Sequence, residues 1–319
     1  MAEVFPLEGK RVWVAGHSGM VGSAVVRRLA SEPIGELITA SHAQLDMCRQ
    51  ADVERFVQDT KPDALILAAA KVGGIQANRA AQADFLYDNL LISANGIEAA
   101  RRHGVEKVLV LGSSCIYPRD APQPIKEEHL LTGPLEPTNE GYAIAKIAAL
   151  EMGKMYQRQH GYDVISLMPT NLYGPNDNFD LETAHVLPAL MRKIHEAKER
   201  GDYTVNVWGT GRPRREFVHV DDAADAVIFC LRHVTGVSHL NLGCGEDVSI
   251  MELCKVIADV VGWEGDFEWD SSMPDGMFRK LLDVSKLAEL GWRATTDLHK
   301  GLTMTYQWFL DHHESLRGL

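Results

Sequence analysis

Hydrophobic and polar positions follow two different periods along the first 180 residues. Short apolar runs rich in β-branched residues predict buried strands, and longer stretches with apolar positions every three to four residues predict helices between them. The predicted strands are 11–15 (RVWVA), 36–40, 64–70, 107–111 and 163–168, and the predicted helices begin near Met20 and Val53, span 83–102, and begin again near Tyr142. This alternation predicts an α/β fold with a doubly wound parallel sheet.

The pattern becomes less regular after Pro169. It predicts a loop (NLYGPNDNFD), a helix at 186–200, a short strand (TVNVW), two further helix-strand units and a C-terminal helix ending in YQWFL. We therefore expect a sheet domain at residues 1–180 and a smaller substrate-binding lobe formed mainly by residues 181–319, with some interleaving. Repeats, low-complexity tracts and flexible linkers are absent from the sequence, so the two parts should pack around a cleft.

Composition and charge exclude several classes of protein. The 319 residues are 45% hydrophobic and 24% charged, as in globular proteins, and the apolar runs are too short to span a bilayer. The N-terminus lacks the segments of a secretory signal, so we expect a cytoplasmic protein that does not enter a membrane. A net charge of -12 argues against binding to nucleic acid. The five cysteines lack CxxC spacing, which predicts free thiols and no metal site.

A glycine-rich turn, GHSGMVG, separates the first predicted strand from the first helix. Gly16, Gly19 and Gly22 would let the backbone turn sharply and approach a pyrophosphate, which the amides at the helix N-terminus would face. The turn therefore predicts a Rossmann-type dinucleotide site that also includes the intervening residues, His17, Ser18, Met20 and Val21.

The end of the second predicted strand bears on the choice of nicotinamide cofactor. An acidic residue there favours the free ribose 2′-OH of NAD, but the sequence reads TASHAQ and has no carboxylate at Ser41 or His42. This favours a 2′-phosphate and hence NADP. Because no arginine is present either, Ser18, Ser41 and His42 are expected to contact the phosphate.

Two further segments carry candidate chemistry. Tyr142 and Lys146, in YAIAK, share one helix face, where the cation would lower the pKa of the phenol and suit it to proton transfer. At the end of the fourth strand, LGSSCIYP would place Ser113, Cys115 and Tyr117 on one face if the chain stays extended. Taken alone, a YxxxK string means little, and Cys115 is explained as a small buried hydrophobe.

Taken together, the glycine-rich turn, SSCIY and YAIAK resemble the extended short-chain dehydrogenase/reductase family over nearly the whole chain. The resemblance implies that Ser113 hydrogen-bonds a substrate carbonyl oxygen, that Tyr142 exchanges its proton with that oxygen, and that Lys146 holds the nicotinamide ribose and tunes the tyrosine. It also implies cofactor contacts at the ends of later strands and at the start of a helix, namely Ala69, Leu111, Gly112, Pro169, Asn171, Leu172 and His185.

Members of this family differ in the residues that follow the serine. The 4,6-dehydratases carry an Asp-Glu pair there, whereas this chain has Ser114, Cys115 and Ile116, which argues against dehydration. Segments along almost the full chain are similar to the epimerase-reductases that convert GDP-4-keto-6-deoxy-D-mannose to GDP-L-fucose with NADPH: AAAKVGGI, LGSSCIYP, EPTNEGYAIAK, MPTNLYGPNDNF, HVLPALMRK, WGTGRPRREFVHVDD and PDGMFRKLLDV. This resemblance implies that Cys115 is the base and His185 the acid of a 3,5-epimerisation. Spacing alone would make His185 an exposed residue at a helix N-terminus.

The same resemblance implies contacts to a GDP-sugar from Asn171, Lys193, Trp208, Arg215, Asp275 and Lys280. Lysine and arginine can neutralise a pyrophosphate, although solvated surface charges are the usual fate of such residues and are expected for Arg212 and Arg214. The chain departs from the family at Ser18, where an arginine is frequent, and this bears on the 2′-phosphate rather than on the reaction. Relatives are commonly dimers through two long helices, here about 83–102 and 142–160, so we expect a homodimer.

Two alternatives remain open at this point. One is an NAD-retaining 4-epimerase of nucleotide sugars, which needs only a reversible hydride transfer and does not require the Cys115 thiol. The other is a non-catalytic dinucleotide sensor on the same fold, against which the presence of Ser113, Tyr142 and Lys146 argues.

Overall fold

A computed structural model describes residues 3–273 and 275–313 of the chain. Its strands are β1 (Arg11–Ala15), β2 (Glu36–Ile38), β3 (Ala64–Leu67), β4 (Lys107–Leu111), β5 (Asp163–Pro169), β6 (Asn171–Tyr173), β7 (Thr204–Trp208), β8 (Arg214–His219), β9 (His239–Leu242), β10 (Asp247–Ser249), β11 (Asp266–Asp270) and β12 (Arg279–Lys280). Its α-helices are α1 (Met20–Leu29), α2 (Gln50–Thr60), α3 (Ile75–Ala80), α4 (Gln82–Arg102), α5 (Glu140–His160), α6 (Val186–Arg200), α7 (Val220–His233), α8 (Ile250–Val261), α9 (Ser285–Glu289) and α10 (Leu298–His312). One-turn 3₁₀ helices lie at Ser114–Ile116, Glu127–His129 and Pro137–Asn139.

Six parallel strands form the main sheet in the order β2-β1-β3-β4-β5-β9. Because successive side chains of a strand point to opposite faces, each strand supplies two cores. Val12 and Val14 of β1 face the core beneath α1 and α7, whereas Trp13 and Ala15 face the core beneath α2, α4 and α5. Helices on both faces confirm the predicted doubly wound Rossmann-type sheet.

The sixth strand of this sheet comes from the second half of the chain. β9 pairs with β5, and α7 packs on α1, so residues 220–242 belong to the sheet layer although they lie in the part predicted to form mainly the substrate lobe. The faces of a parallel sheet are normally covered by helices. Helix α7 and strand β9 follow each other in the chain, so the same segment adds a strand to the sheet and a helix to one of its faces.

The second core of the chain lies among α6, α8 and α10 and two small sheets. In one of these sheets, β8 pairs with β10, β12 and β6; in the other, β7 pairs with β11. The predicted loop after Pro169 therefore contains a strand, because the three residues of β6 pair with β8, a partner more than 40 positions away that local sequence could not indicate.

No helix in the described ranges is long and apolar enough to cross a membrane.

Candidate active site

The glycine-rich turn after β1 forms a cradle that only glycine backbone can make. Gly16 has φ 84°, and a Cβ at this position would lie 2.6 Å from the backbone nitrogen of Ala69 at the end of β3. A Cβ on Gly22 would collide with the carbonyl oxygen of Gly16. Helix α1 begins after Gly19 and carries no acidic residue in its first turn, so its amide groups can face an anion. The cradle fits the pyrophosphate of a dinucleotide.

The side chains of this turn divide into two groups. Met20 and Val21 pack against the core beneath α1, so their contribution to a ligand would come from the backbone. Ser18 is exposed, and Nδ1 of His17 is buried without a hydrogen-bond partner in the described part of the chain. Buried polar atoms normally have a partner, so this unsatisfied nitrogen is consistent with a bound group that supplies one.

The segment after β2 carries the two residues that were expected to contact a 2′-phosphate. Ser41 bonds Gln44 through both its backbone nitrogen and its hydroxyl, at 2.9 Å each. The His42 side chain is 90% exposed, and its Nε2 lies 4.0 Å from a carboxylate oxygen of Asp46. A contact between His42 and a 2′-phosphate stays a prediction.

Ser113, Tyr142 and Lys146 come together where β4 ends and α5 begins. Ser113 is hydrogen-bonded to the Tyr142 hydroxyl, and the ammonium of Lys146 lies 5.7 Å from the centre of the Tyr142 ring. Nζ of Lys146 donates to the carbonyl oxygen of Leu111 at 2.8 Å. Gly112 follows Leu111, and a Cβ there would collide with the sulfur of Met168, so glycine allows β4 and β5 to approach closely at the site.

The expectation that Lys146 lowers the pKa of Tyr142 is not what this structure shows. Burial raises the pKa of the Tyr142 phenol, the negative charge of a nearby Cys115 thiolate would raise it further, and the hydrogen bond with Ser113 acts in the opposite direction. Burial also lowers the pKa of Lys146 to about 8, which weakens the cation that would stabilise a phenolate. In this state Tyr142 is held as a neutral phenol, the form that can donate a proton.

The prediction of an extended segment at residues 113–117 was wrong. The chain leaves β4 in a 3₁₀ turn at Ser114–Ile116, capped by the Ser113 hydroxyl, which accepts from the Cys115 backbone nitrogen at 3.2 Å. The turn rotates successive side chains away from strand alternation. Tyr117 is therefore buried on the opposite side, where its hydroxyl donates to Asn241 at 2.5 Å, and it takes no part in the site.

Cys115 nevertheless reaches the site and lies between two nitrogen groups. Nδ2 of Asn139 donates to the Cys115 sulfur at 3.1 Å, and Nζ of Lys280 lies 3.7 Å from the same atom. Sequence reasoning missed Asn139, although the residue stands inside the EPTNEGYAIAK string. Lys280, predicted as a substrate contact, instead faces the thiol directly.

His185 is the N-cap residue of α6 and is exposed, as spacing alone predicted. Although the residue as a whole is exposed, neighbouring protein atoms shield its ring from water, and this desolvation lowers the pKa of the imidazole. The positive charge of nearby Lys280 lowers that pKa further. Lys280 thus connects the two groups that the resemblance named as base and acid. Its positive charge lies beside the Cys115 sulfur and favours a neutral His185 before substrate binds.

The pairing of β8 with β12 places two cationic side chains on each face of the small sheet. Arg214 pairs with Arg279 in this register, and both side chains bond Asp247, so these two hold the small sheet together. Arg215 pairs with Lys280, and Lys280 points to the Cys115 sulfur. Side chains at paired positions of parallel strands share a face, so Arg215 lies on the same face of the small sheet as Lys280. Burial lowers the pKa of Arg215.

The remaining predicted substrate contacts lie around the β7 end. Nζ of Lys193 lies 5.6 Å from the centre of the Trp208 ring, which is 51% exposed, and burial lowers the pKa of Lys193. Asp275 accepts hydrogen bonds from the Thr210 backbone nitrogen at 2.6 Å and from the Thr210 hydroxyl at 2.8 Å. In this structure Asp275 therefore fixes the turn after Trp208, and a direct contact to substrate stays a prediction.

A buried carboxyl group that sequence reasoning missed holds the segment after β12. Glu216 is fully buried and accepts from the backbone nitrogens of Gly245 at 2.7 Å and Leu282 at 3.1 Å, while its carbonyl oxygen accepts from Asn171 Nδ2 at 2.8 Å. Leu282 follows Lys280 by two residues, so Glu216 helps to set the position of that lysine. Leu172 packs on the core beneath α1, and Pro169 ends β5 beside Leu242.

Within the described residues, no group of three histidine, cysteine or acidic side chains could hold a metal ion.

Comparison with known proteins agrees with this geometry. The sequence profile of the NAD dependent epimerase/dehydratase family matches residues 12–243. GDP-L-fucose synthase 1 of Arabidopsis thaliana is 57% identical over 300 residues, which cover 94% of this chain and 93% of that protein. GDP-L-fucose synthase of Escherichia coli (strain K12) is 49% identical over 318 residues, covering 97% and 99% respectively. A solved GDP-L-fucose synthetase from Naegleria fowleri, bound to NADP, superposes with a TM-score of 0.90 at 28% identity and covers 99% of this chain and 98% of its own.

Proposed function

Because the chain belongs to the NAD dependent epimerase/dehydratase family, and within it to the GDP-L-fucose synthases, we propose that it converts GDP-4-keto-6-deoxy-D-mannose to GDP-L-fucose. The reaction inverts C3 and C5 of the keto sugar and then reduces C4, with NADPH as cofactor and a GDP-sugar as substrate. The observation that carries the proposal is the Cys115 sulfur beside the Ser113–Tyr142 pair, with the Lys280 ammonium 3.7 Å away. A reductase alone would not need this thiol.

Epimerisation needs a base and an acid because each inverted carbon loses a proton from one face and gains one on the other. C3 and C5 both flank the C4 ketone, so the electron pair released at either carbon moves onto the C4 oxygen as an enolate. We assign proton removal to the Cys115 thiolate and proton delivery to His185. Ser113 and Tyr142 donate hydrogen bonds to the C4 oxygen and stabilise the charge that develops there.

His185 must carry a proton to act as the acid, but its surroundings lower its pKa before substrate binds. The negative pyrophosphate of a GDP-sugar would counter the charge of Lys280 and favour the imidazolium. The acid is therefore expected to form in the complex with substrate rather than in the free protein.

Reduction uses the same oxygen site. When bound, NADPH supplies the hydride that is added to C4. Tyr142, held as a neutral phenol beside Ser113, gives its proton to the C4 oxygen, and Lys146 helps to orient the nicotinamide ribose and to stabilise the resulting phenolate. The glycine cradle at Gly16 and Gly22 and the N-terminus of α1 would hold the pyrophosphate of the cofactor.

The substrate pyrophosphate is assigned to cations of the second half of the chain. Arg215 and Lys193 are both partly desolvated, so their charges act on an anion with less screening than surface charges do. Trp208 offers an exposed ring next to Lys193 on which a base or sugar can pack.

The proposed function is tested by incubating the protein with GDP-4-keto-6-deoxy-D-mannose and NADPH, following NADPH oxidation, and identifying the product. We expect stoichiometric oxidation and formation of GDP-L-fucose. A folded protein that interconverts 4-epimers without net oxidation of NADPH would instead be an NAD-retaining 4-epimerase, and a protein that binds the dinucleotide without turnover would be a sensor.

The assignment of Cys115 has its own test in heavy water. Wild-type protein should incorporate solvent deuterium at C3 and C5, whereas Cys115→Ser should do so about 10²- to 10⁴-fold more slowly, since a serine hydroxyl is too weak a base. Any reduction that remains should act on the unepimerised ketone and release a 6-deoxy sugar other than fucose. Fast exchange with normal product by Cys115→Ser would return Cys115 to a purely structural role.

We further propose a homodimer through α4 and α5, which pack side by side along their length. Their outer surface exposes apolar side chains, including Tyr87, Ile144 and Met155. Four such helices could bury these side chains at a two-fold axis. Sedimentation should give the mass of a dimer for wild type and of a monomer for Tyr87→Glu; an unchanged mass would place the interface elsewhere.

The cytoplasmic location stays a prediction, in keeping with five cysteines that are all free.

A further inference from the structure

The side chain of Asn139 is placed in an unusual way at the start of α5. Asparagine at an N-cap position normally uses its side-chain oxygen to accept from a backbone N–H of the first helical turn. In the described part of the chain, the Asn139 side chain makes no such cap to α5. Its Nδ2 donates to the Cys115 sulfur at 3.1 Å instead, while its Oδ1 is buried and finds no partner within residues 3–273 and 275–313.

The segment that carries Asn139 is firmly anchored. Glu136 caps the 3₁₀ turn at Pro137–Asn139, and its carboxylate accepts from the Thr138 backbone nitrogen at 3.4 Å and from the Thr138 hydroxyl at 3.2 Å. Gln82 of α4 donates to the Pro137 carbonyl at 3.0 Å. The backbone is thus held without help from the Asn139 side chain, and the side chain is left to serve the thiol.

An amide N–H directed at sulfur discriminates between the two protonation states of cysteine. A neutral thiol is a weak acceptor, whereas a thiolate is an anion and accepts strongly. In the described part of the chain, the groups that face Cys115 are Asn139 from the 3₁₀ turn before α5, Tyr142 from α5 and Lys280 from β12. The N–H groups of Asn139 and Lys280 are placed to stabilise a thiolate. Tyr142 stays a neutral phenol, so it adds no negative charge beside the sulfur.

We propose that Asn139 is a positioning residue for the epimerisation, which holds the Cys115 thiolate together with Lys280 and directs it at C3 and C5. The proposal rests on the proposed role of Cys115 as the base. In each proton transfer, the C–H bond breaks, an S–H bond forms on Cys115, and the electron pair moves to the C4 oxygen. The sulfur then loses its charge, and the hydrogen bond from Asn139 weakens at the same moment.

The test measures the thiol without requiring turnover. The rate at which iodoacetamide alkylates Cys115 is followed against pH in substrate-free protein, with the modified peptide quantified by mass spectrometry so that the other four cysteines do not interfere. In Asn139→Leu, the alkylation midpoint should move upwards by about one pH unit, so that alkylation near neutrality slows about tenfold. Lys280→Met should move the midpoint in the same direction.

Thr138→Ala is the matched control, because Thr138 belongs to the same turn and its hydroxyl bonds Glu136 rather than Cys115. It should leave the alkylation profile unchanged. If Asn139→Leu does not fold, Asn139→Asp replaces it: a carboxylate beside the sulfur should also raise the midpoint. An unchanged profile in the Asn139 variant, or an equal shift in Thr138→Ala, would overturn the proposal.

Deuterium exchange separates this proposal from the assignment of Cys115 itself. Exchange at C3 and C5 by Asn139→Leu should fall in the same proportion as alkylation and recover as the pH is raised, while the dissociation constant for NADPH stays unchanged. If Cys115→Ser exchanges normally, the proposed base is wrong. If Cys115→Ser fails to exchange while Asn139→Leu exchanges and is alkylated like wild type, only the role of Asn139 is wrong.

Discussion

Replacing Lys146 by methionine should stabilise the folded protein at neutral pH, although it removes a group proposed to act in catalysis. Lys146 is 4% exposed, and its ammonium donates to a neutral carbonyl group, that of Leu111. Burial lowers the pKa of Lys146 from 10.5 to about 8. A charged lysine is therefore held where its charge is disfavoured, and an apolar side chain of similar length removes that cost.

The size of the effect follows from the pKa. The difference between 10.5 and about 8 corresponds to about 3 kcal/mol of unfavourable free energy for the charged form in the folded state. Methionine also gives up the hydrogen bond to Leu111 and leaves that carbonyl oxygen without its donor, which costs about 1 to 2 kcal/mol. The free energy of unfolding of Lys146→Met at pH 7 should therefore exceed that of wild type by about 1 to 2 kcal/mol.

The pH dependence gives the effect its signature. Below the folded pKa of about 8, Lys146 is charged in both states and the full cost is present. Between about 8 and 10.5 the unfolded chain keeps a proton that the folded protein has released, so the stability of wild type rises with pH relative to the variant. The advantage of Lys146→Met should shrink by about 1.4 kcal/mol per pH unit above the folded pKa. It should vanish within about one to two pH units and then reverse, because near pH 10.5 only the lost hydrogen bond to Leu111 separates the two proteins.

Urea unfolding without cofactor, at intervals from pH 7 to 10.5, measures the difference between the two proteins. Lys107→Met is the control, because Lys107 is equally buried but lies 3.0 Å from the Asp163 carboxylate. Removing the partner of that charge should destabilise the protein by about 3 kcal/mol or more. A Lys146→Met variant that is less stable than wild type at pH 7, or a difference that does not change with pH, would refute the reasoning.

Two further outcomes concern catalysis and cofactor choice. Tyr142→Phe removes the proton donor for the C4 oxygen and should slow reduction by about 10²- to 10⁴-fold in single-turnover measurements of NADPH oxidation; near-normal turnover would mean that another group donates the proton. Wild type should prefer NADPH over NADH in kcat/KM, and His42→Asp should reduce that preference because a carboxylate repels the 2′-phosphate and accepts from a 2′-OH. A clear preference of wild type for NADH would contradict the assignment of the His42 segment.

The sequence predicted the first five strands of the main sheet, and the interior strands among them were clear because they are buried on both faces. Val12, Trp13 and Val14 are all apolar for that reason, and such runs separated by helical patterns are typical of parallel sheets. The glycine cradle could also be predicted from the sequence. The positive φ of Gly16 and the close approach of the backbone to Gly22 exclude residues with a side chain at these two positions. At these positions the backbone conformation itself requires glycine, so the residue type alone indicates the turn.

The surroundings of Cys115 were less predictable because they depend on contacts between distant segments. The sequence pattern predicted an extended segment beyond Leu111, but β4 ends at that residue. The 3₁₀ turn that follows directs Tyr117 into the core instead of the site. Lys280 is separated from Cys115 by 165 positions, and nothing in its local pattern indicates a thiol. Asn139 looks like an ordinary helix cap until the direction of its amide is known. Side-chain direction after a strand ends is set by tertiary packing, which no residue period records.

The two proposed chemical steps draw on different parts of the chain. Ser113, Tyr142 and Lys146 all lie at the junction of β4 and α5, so the groups for reduction are placed by one pair of adjacent elements. Epimerisation also needs His185 from the start of α6 and Lys280 from β12, both of which belong to the second half of the chain. A disturbance of the contacts that position β12, such as loss of the Glu216 hydrogen bond to Leu282, should therefore impair proton transfer at carbon before it impairs hydride transfer. In such a protein the Cys115 thiol would remain beside Ser113 and Tyr142, but Lys280 would no longer lie next to the sulfur. The C4 ketone would then be reduced before C3 and C5 are inverted.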